Sequence, residues 1–429
     1  MLVKRVVILA QGPFYDGVTG RSQPDTRPPL PRAWLVVALL WVVACLNYLD
    51  RNMITTMRGS VIAAIPMTEA QFGLLTSMFL WIYGLLSPFA GFLADRFSRS
   101  RVVLISLFAW SLITWLTGHA KTYEQLIVAR ALMGVSEACY IPAGLALIAD
   151  YHRGGTRSLA TGVHMTGIMV GAGLGGLGGL LAEWHGWSYA FNLFGLIGIG
   201  YSVVLALLLK DAPRDAVSVE QQKREKIGFF NALYTLFSRG SFYLILSFWG
   251  MIGVAGWALT GWMPTYLSEH FKMGQGAAGL SATGYLQAAS LVGVLVGGAW
   301  ADRWSRTNER GRMLVPAIGL CLAAPGVFLA ATTGFLPLAI LGLVMYGLNR
   351  AFTDSNMMPI LCLVTDPRFR ATGYGVLNLF SCIVGGLTIY AGGAMRDQQV
   401  NLSVFFQLAA GSLILCAVIL MFVKPERKS

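Results

Sequence analysis

Gly91-Phe92-Leu93-Ala94-Asp95-Arg96-Phe97-Ser98-Arg99-Ser100-Arg101 and, 207 residues later, Gly298-Ala299-Trp300-Ala301-Asp302-Arg303-Trp304-Ser305-Arg306 are two copies of one pattern. In each, a long apolar run closes on a glycine, then an Asp-Arg pair, then a basic cluster; Arg310 and Arg312 extend the second. A further echo follows the same spacing: Arg157-Ser158-Leu159-Ala160-Thr161-Gly162 returns as Arg370-Ala371-Thr372-Gly373, offset by 211. Two echoes at nearly one offset, each at the same point of its half, imply an internal duplication.

The material around these loops decides what is duplicated. Of 429 residues, 55% are hydrophobic and only 12% charged, about half the charged share of a soluble chain, roughly 25%. Such a composition cannot cover a soluble surface, and it is too apolar for disorder. A spanning helix needs roughly 20 apolar residues. Twelve runs meet that length, at about 33–57, 70–94, 102–119, 123–149, 159–182, 187–209, 241–267, 277–301, 313–332, 336–361, 372–395 and 403–423. They are too long for barrel strands of about 10 residues, and bare backbone is not tolerated in lipid, so helices are expected. The organisation predicted is a mobile cytoplasmic tail over 1–32, a six-helix bundle over 33–209, a linker over 210–240, a second six-helix bundle over 241–424, and a short tail over 425–429. Phe229, Phe230 and Leu233 make the end of the linker amphipathic and suited to the membrane surface.

Charge sets the orientation. The chain has 32 Lys and Arg against 20 Asp and Glu, a formal +12. With the N-terminus inside, 25 of the basic residues fall on inner segments, while the outer loops hold only Arg58, Lys121, Lys272 and Arg396. Both termini are therefore expected in the cytoplasm. The same clustering beside apolar runs assigns the basic excess to an anionic leaflet, with no nucleic-acid partner. The six cysteines, Cys45, Cys139, Cys321, Cys362, Cys382 and Cys416, lie in apolar runs without metal-ligand spacing. No cofactor or metal is expected. HExxH, GxSxG and P-loop patterns are absent from the sequence, which speaks against an enzyme and against ATP-driven transport.

The Gly-x-Leu-Ala-Asp-Arg-x-x-Arg-x-Arg loop resembles the signature of the major facilitator superfamily, whose fold is two parallel six-helix repeats. The resemblance covers nearly everything after residue 32. It implies an all-α membrane protein of twelve helices in two pseudo-symmetric bundles that works by alternating access. It also implies a gating latch formed by Gly91, Asp95, Arg96 and Arg99 and repeated at Asp302, Arg303 and Arg306. Arg96 and Arg99 would bridge to the other half on the inner face; the alternative is topology anchoring by the basic residues alone.

Six ionisable residues fall well inside helices: Asp50, Arg51, Arg130, Glu137, Arg350 and Asp354. Each costs at least roughly 2.5–3.5 kcal/mol there, so each needs a compensating role. Adjacent Asp50 and Arg51 diverge by about 100°. Arg130 and Glu137 share a helix face about two turns apart, roughly 10 Å. Arg350 and Asp354 are four apart and can pair. The choice lies between ion pairs that specify packing and a site for substrate and protons.

Asn47-Tyr48-Leu49-Asp50-Arg51-Asn52, with Arg130-x-x-x-Gly134-x-x-Glu137-Ala138 and Pro142, resembles the anion:cation symporter branch, which takes up sugar acids and related anions with protons. That likeness implies proton coupling at Glu137 and Asp50 and anion binding at Arg51 and Arg130. Arg350, near the pseudo-symmetric counterpart of Glu137, would add a cation for a sugar acid or sugar phosphate. Tyr48 and Trp262 are candidate substrate contacts, with Tyr83, Trp257, Tyr266, Tyr285 and Tyr374 as further aromatic lining; His164 is a candidate proton relay. The same strings, continued as Ala138-Cys139-Tyr140 and Ile148-Ala149-Asp150, are similar to spinster-like lysolipid and lipid exporters, so export of a lysolipid or drug-like substrate stands as the alternative. Gly167-x-x-x-Gly171-Ala172-x-x-Gly175-Gly176 approaches a drug-antiporter motif, with Ala172 where proline is expected. Its simpler reading is helix packing, with Gly293-x-x-x-Gly297 as a possible partner. The expected partners are a small-molecule substrate, protons and the bilayer, for a monomer in a bacterial inner membrane.

Overall fold

The computed structural model describes residues 29–152, 156–213, 229–308, 310–365 and 369–423, excluding the side chains of 91–95, 229, 230, 232 and 371. Most of the expected N-terminal tail, much of the linker and the final tail lie outside these. Twelve helices are long and apolar enough to cross a membrane. We number them α1 (Ala33–Thr56), α2 (Glu69–Arg96), α3 (Arg99–Thr117), α4 (Tyr123–Tyr151), α5 (Arg157–His185), α6 (Trp187–Leu208), α7 (Gly240–His270), α8 (Gln275–Trp304), α9 (Gly311–Thr332), α10 (Leu336–Val364), α11 (Arg370–Asp397) and α12 (Leu402–Phe422). Each expected run is one of these, with ends shifted by a few residues. Short helices Arg58–Ala64 and Phe229–Phe237 join α1 to α2 and precede α7. No strand occurs among the described residues. The face where α1 begins is called the start face, and the opposite one the far face.

Three spans are broken where chemistry asks for it. Pro142 has no N–H to give the Ala138 carbonyl, and α4 is interrupted between Glu137 and Tyr140. The break therefore follows directly on the buried carboxylate. α5 is interrupted at Gly175-Gly176, and α8 carries a π-turn over Ser281–Tyr285.

The glycine stripe of α5 is a packing surface, but its partner differs from the one expected. A Cβ on Gly171 would lie 2.1 Å from the Cys45 carbonyl oxygen of α1. Gly293 of α8 meets α10 instead, where a Cβ would lie 2.1 Å from the Leu348 carbonyl. Gly171 and Gly293 thus each seat a helix of their own half, because backbone approach this close is open only to a residue without a Cβ, while Gly176 packs on Leu280 of α8, where a Cβ would lie 2.6 Å away. α5 and α8 do meet, nearer the far face, where Thr283 donates to the Gly173 carbonyl at 2.8 Å.

The halves join along α2 and α11. Ser77 Oγ donates to the Gly386 carbonyl at 2.6 Å, Trp81 Nε1 to Ile383 at 3.2 Å, and Asn378 Nδ2 to Ser87 Oγ at 3.0 Å. At the far face the seam is ionic. Arg58 pairs with Glu69 and with Glu269 (3.2 Å), and Arg396 bridges the same two carboxylates at 3.3 and 2.8 Å. Asp397 of α11 accepts the backbone N–H groups of Glu69 and Ala70, both at 2.9 Å, and so caps α2 across the seam. Burial and the neighbouring Arg396 guanidinium lower Arg58 to about 10, with Glu269 opposing; it stays charged at neutral pH.

Candidate functional site

The polar run of α1 turns inward. Asn47, Asp50, Arg51, Arg130 and Glu137 are all buried, at 0 to 6% exposure. Arg51 Nη2 donates to Glu137 Oε2 at 2.8 Å, joining α1 to α4 just before the α4 break. The guanidinium also lies over three rings, 4.5 Å from Tyr48, 4.7 Å from Phe79 and 4.6 Å from Tyr83. A desolvated cation gains about 2 kcal/mol from such a face, so the aromatic box and the carboxylate together hold Arg51 away from water.

Its neighbour behaves differently. Asp50 points to α3, where Thr114 donates to Oδ2 at a long 3.4 Å, and its Oδ1 has no hydrogen-bond partner. Arg130 directs Nη1 at the Met133 sulfur, 3.1 Å away, and leaves Nε unpartnered. Its guanidinium is 5.1 Å from the Phe79 ring. Among the described residues no carboxylate lies within ion-pair distance of Arg130. The constellation therefore consists of one direct ion pair, in which Arg51 Nε and Glu137 Oε1 still lack partners, and two charges outside any such pair: a cation with room for an anion, and a carboxylate with room for a proton.

These groups adjoin the seam. Arg51, Arg130, Phe79, Thr55 and Thr76 of the first half face Trp257, Thr260 and Ile389 of the second across a cavity of about 10 Å³. That is room for about one water, so the far side of the site is packed shut.

In the second half Arg350 Nη1 pairs with Asp354 Oδ2 at 3.1 Å, and both side chains are about a quarter exposed, at 27% and 26%. Trp262 is fully buried; its Nε1 donates to the Ile389 carbonyl at 2.9 Å and tethers α7 to α11. Tyr266 likewise donates to Ala331, while Tyr285 and Tyr374 are about half exposed. His164 is buried with its ring 6.0 Å from that of Tyr140.

The repeated loops sit at the start face. Gly91 and Asp95 lie in the last turns of α2, their side chains outside the described residues. Arg96, Arg303 and Arg306 are exposed. Arg99 pairs with Asp150 at the end of α4, and Asp302 with Arg312 of α9 at 3.1 Å. Arg99 also donates to the Ala146 carbonyl at 3.1 Å, so its described contacts join the start of α3 to the end of α4.

Two features escaped sequence reading. Phe79, which touches both arginines, looks like any apolar residue of α2. The ionic ring at the far face joins loops in which only the basic residues had been counted; acids beside Arg58 and Arg396 were the available signal.

Comparison with known proteins identifies the fold and the family. The family model of the Major Facilitator Superfamily matches residues 40–389. The chain belongs to that superfamily. Protein spinster homolog 1 of Xenopus tropicalis is 27% identical, over 90% of this chain and 78% of that protein. An MFS-type efflux pump of Mycolicibacterium smegmatis is 27% identical, covering 86% of each chain. A Cupriavidus necator protein named "Probable sulfoacetate transporter SauU" is 24% identical, over 91% of this chain and 93% of its own. Among solved structures, an inward-facing, unoccupied bacterial homolog of the human lysosomal transporter spinster superposes with TM-score 0.71 at 21% identity, covering 92% and 95%. The nucleoside transporter NupG gives 0.73 at 15% identity, covering 90% and 99%. The fold is that of the superfamily, twelve helices in two pseudo-symmetric bundles. The chain is an integral multi-pass membrane transporter, not an enzyme.

Proposed function

We propose that this transporter moves a small organic anion together with protons by alternating access, as a monomer in a bacterial inner membrane with both termini cytoplasmic. One observation carries the reading: a buried Arg51–Glu137 pair stands in the same bundle as an arginine without a carboxylate and a carboxylate without a full set of donors, and the two arginines line the seam between the halves. Arg130 offers its guanidinium to the substrate anion, and Arg51 follows when Glu137 takes a proton and releases it. Substrate and proton then favour each other's binding. Tyr48 keeps Arg51 in place; Arg350 biases the opposite wall toward anions; Trp262 sets the spacing of α7 and α11. The start-face loops, Gly91, Asp95, Arg96 and Arg99 with Asp302, Arg303 and Arg306, brace each half as it rocks. The ionic ring closed at the far face supports reading this conformation as the one that faces the cytoplasm.

The relative named as a sulfoacetate transporter supports a compact anion as substrate. The spinster relatives support the second reading, export of an amphipathic lysolipid-like anion through the same four charges. Proteoliposomes separate them. Sugar acids, sugar phosphates, sulfonates and a lysophospholipid are offered with and without a pH gradient. Gradient-dependent accumulation of a compact anion is the expected result; gradient-dependent movement of the lysolipid alone would replace it with the second reading. Transport of any substrate at a rate indifferent to the gradient would remove proton coupling.

A further inference from the structure

One sizeable cavity lies away from the seam. It has a volume of about 620 Å³ and opens at the start face between the beginning of α3 and the end of α6. Its polar rim is Arg96, Arg101 and Lys210, with Asp211 as the single acid; its floor is apolar, formed by Leu104, Leu205 and Leu209. Arg96, Arg101 and Lys210 make no ion pair among the described residues, whereas Asp211 is engaged by the Ser100 backbone N–H at 2.8 Å. Below the rim the same two helices turn bare apolar side chains outward: Ile105 is 66% and Leu207 71% exposed. In a membrane protein that surface faces hydrocarbon.

A concave site with three uncompensated cations at helix-end height, an apolar floor, and lipid-facing side chains leading away from it matches one chemistry. We propose that this cavity holds the headgroup of an anionic phospholipid of the start-face leaflet, its phosphate against Arg101 and Lys210 and its acyl chains along α3 and α6. A soluble organophosphate shares the headgroup chemistry but has no use for the floor or the outward apolar path. Because the cavity lies on the outer side of the first bundle, the proposal is independent of the transport reading.

Native mass spectrometry of the full chain in detergent tests it, with phosphatidylglycerol, phosphatidylcholine and glycerol 3-phosphate as probes. Phosphatidylglycerol should stay bound in preference to phosphatidylcholine. Each cation near a membrane surface contributes about 1 kcal/mol, so Arg101→Ala and Lys210→Ala should each weaken that binding about fivefold. Arg157→Ala, an exposed cation on the same face, should leave it unchanged. Equal retention of the two lipids, or equal effects of all three variants, would overturn the proposal. Displacement of phosphatidylglycerol by glycerol 3-phosphate would reassign the cavity to a soluble anion.

Discussion

The two halves repeat a scaffold but not its chemistry. In the first, four charged side chains are buried at 6% exposure or less, two of them in a direct ion pair and two outside one, and each of the four keeps a polar atom without a partner. In the second, the intramembrane charges form a single i,i+4 pair on one helix, a quarter exposed, so each charge has its counter-ion beside it although Arg350 Nε lacks a partner. The glycine contacts that set the helices, Gly171 on Cys45 and Gly293 on Leu348, are equally tight in both. Duplication has kept the close packing and let the charges diverge. Rocking needs two similar rigid bodies, whereas coupling a proton to a substrate needs one site whose charges are not already balanced.

The sharpest way to break this contrast is at Glu137. A pH gradient of one unit stores about 1.4 kcal/mol per proton, enough to hold about a tenfold substrate ratio for one coupled proton. Glu137→Gln mimics the protonated side chain, so exchange of labelled substrate should persist while accumulation falls to the level without a gradient. If the variant still concentrates substrate, coupling passes to Asp50, and Asp50→Asn becomes the deciding measurement. The same amide change at Asp354 should leave accumulation intact.

Stability gives the next largest difference. Removing one partner of a buried pair strands the other charge and costs about 3–5 kcal/mol, while an accessible pair is worth about 0–1 kcal/mol. Arg51→Met should therefore lower the thermal unfolding midpoint far more than Arg350→Met. Measuring Arg51→Met again with Glu137→Gln added decides the cause: rescue by the second change places the penalty in the stranded carboxylate, and no rescue places it in the lost aromatic box.

How much of this was legible in the sequence follows from which forces act locally. Spans are set by apolar length, so all twelve could be read from the chain, and Pro142 and Gly175-Gly176 mark breaks by their own covalent structure. The local pairing of Arg350 with Asp354 also follows from helix geometry. The partner of Arg51 does not, because it depends on how α1 sits against α4, a contact between segments far apart in the chain. Trp262 drew notice as an aromatic beside Pro264, yet its N–H is used by the Ile389 carbonyl, a contact between helices more than a hundred residues apart.

A smaller effect is expected at the seam itself. Asp397→Asn keeps the shape of the α2 cap and removes the charge that meets its amides. A charged cap is worth about 1 kcal/mol, so far-face opening, read as spin-label distances between residues near Ser60 and Lys272, should gain population about fivefold. An unchanged distance distribution would mean that the Arg58, Glu69, Glu269 and Arg396 ring alone closes the face.

A change of about the same size bears most directly on the comparison. The Phe79 ring lies against both arginines of the first half, at 4.7 and 5.1 Å. At the offset of 207 between the repeated loops, the second half carries Leu286 in its place. Phe79→Leu thus puts the second half's residue into the first, removing an aromatic face from Arg51 and from Arg130 while keeping an apolar side chain against Trp257 and Ile389. The loss should be about 1 kcal/mol, or about a fivefold weaker apparent affinity for the substrate anion, with the number of protons per substrate unchanged because neither carboxylate is touched. A change in that stoichiometry would mean that the ring orders Glu137 through Arg51, and that the two arginines act as one group rather than as a held cation and a free one.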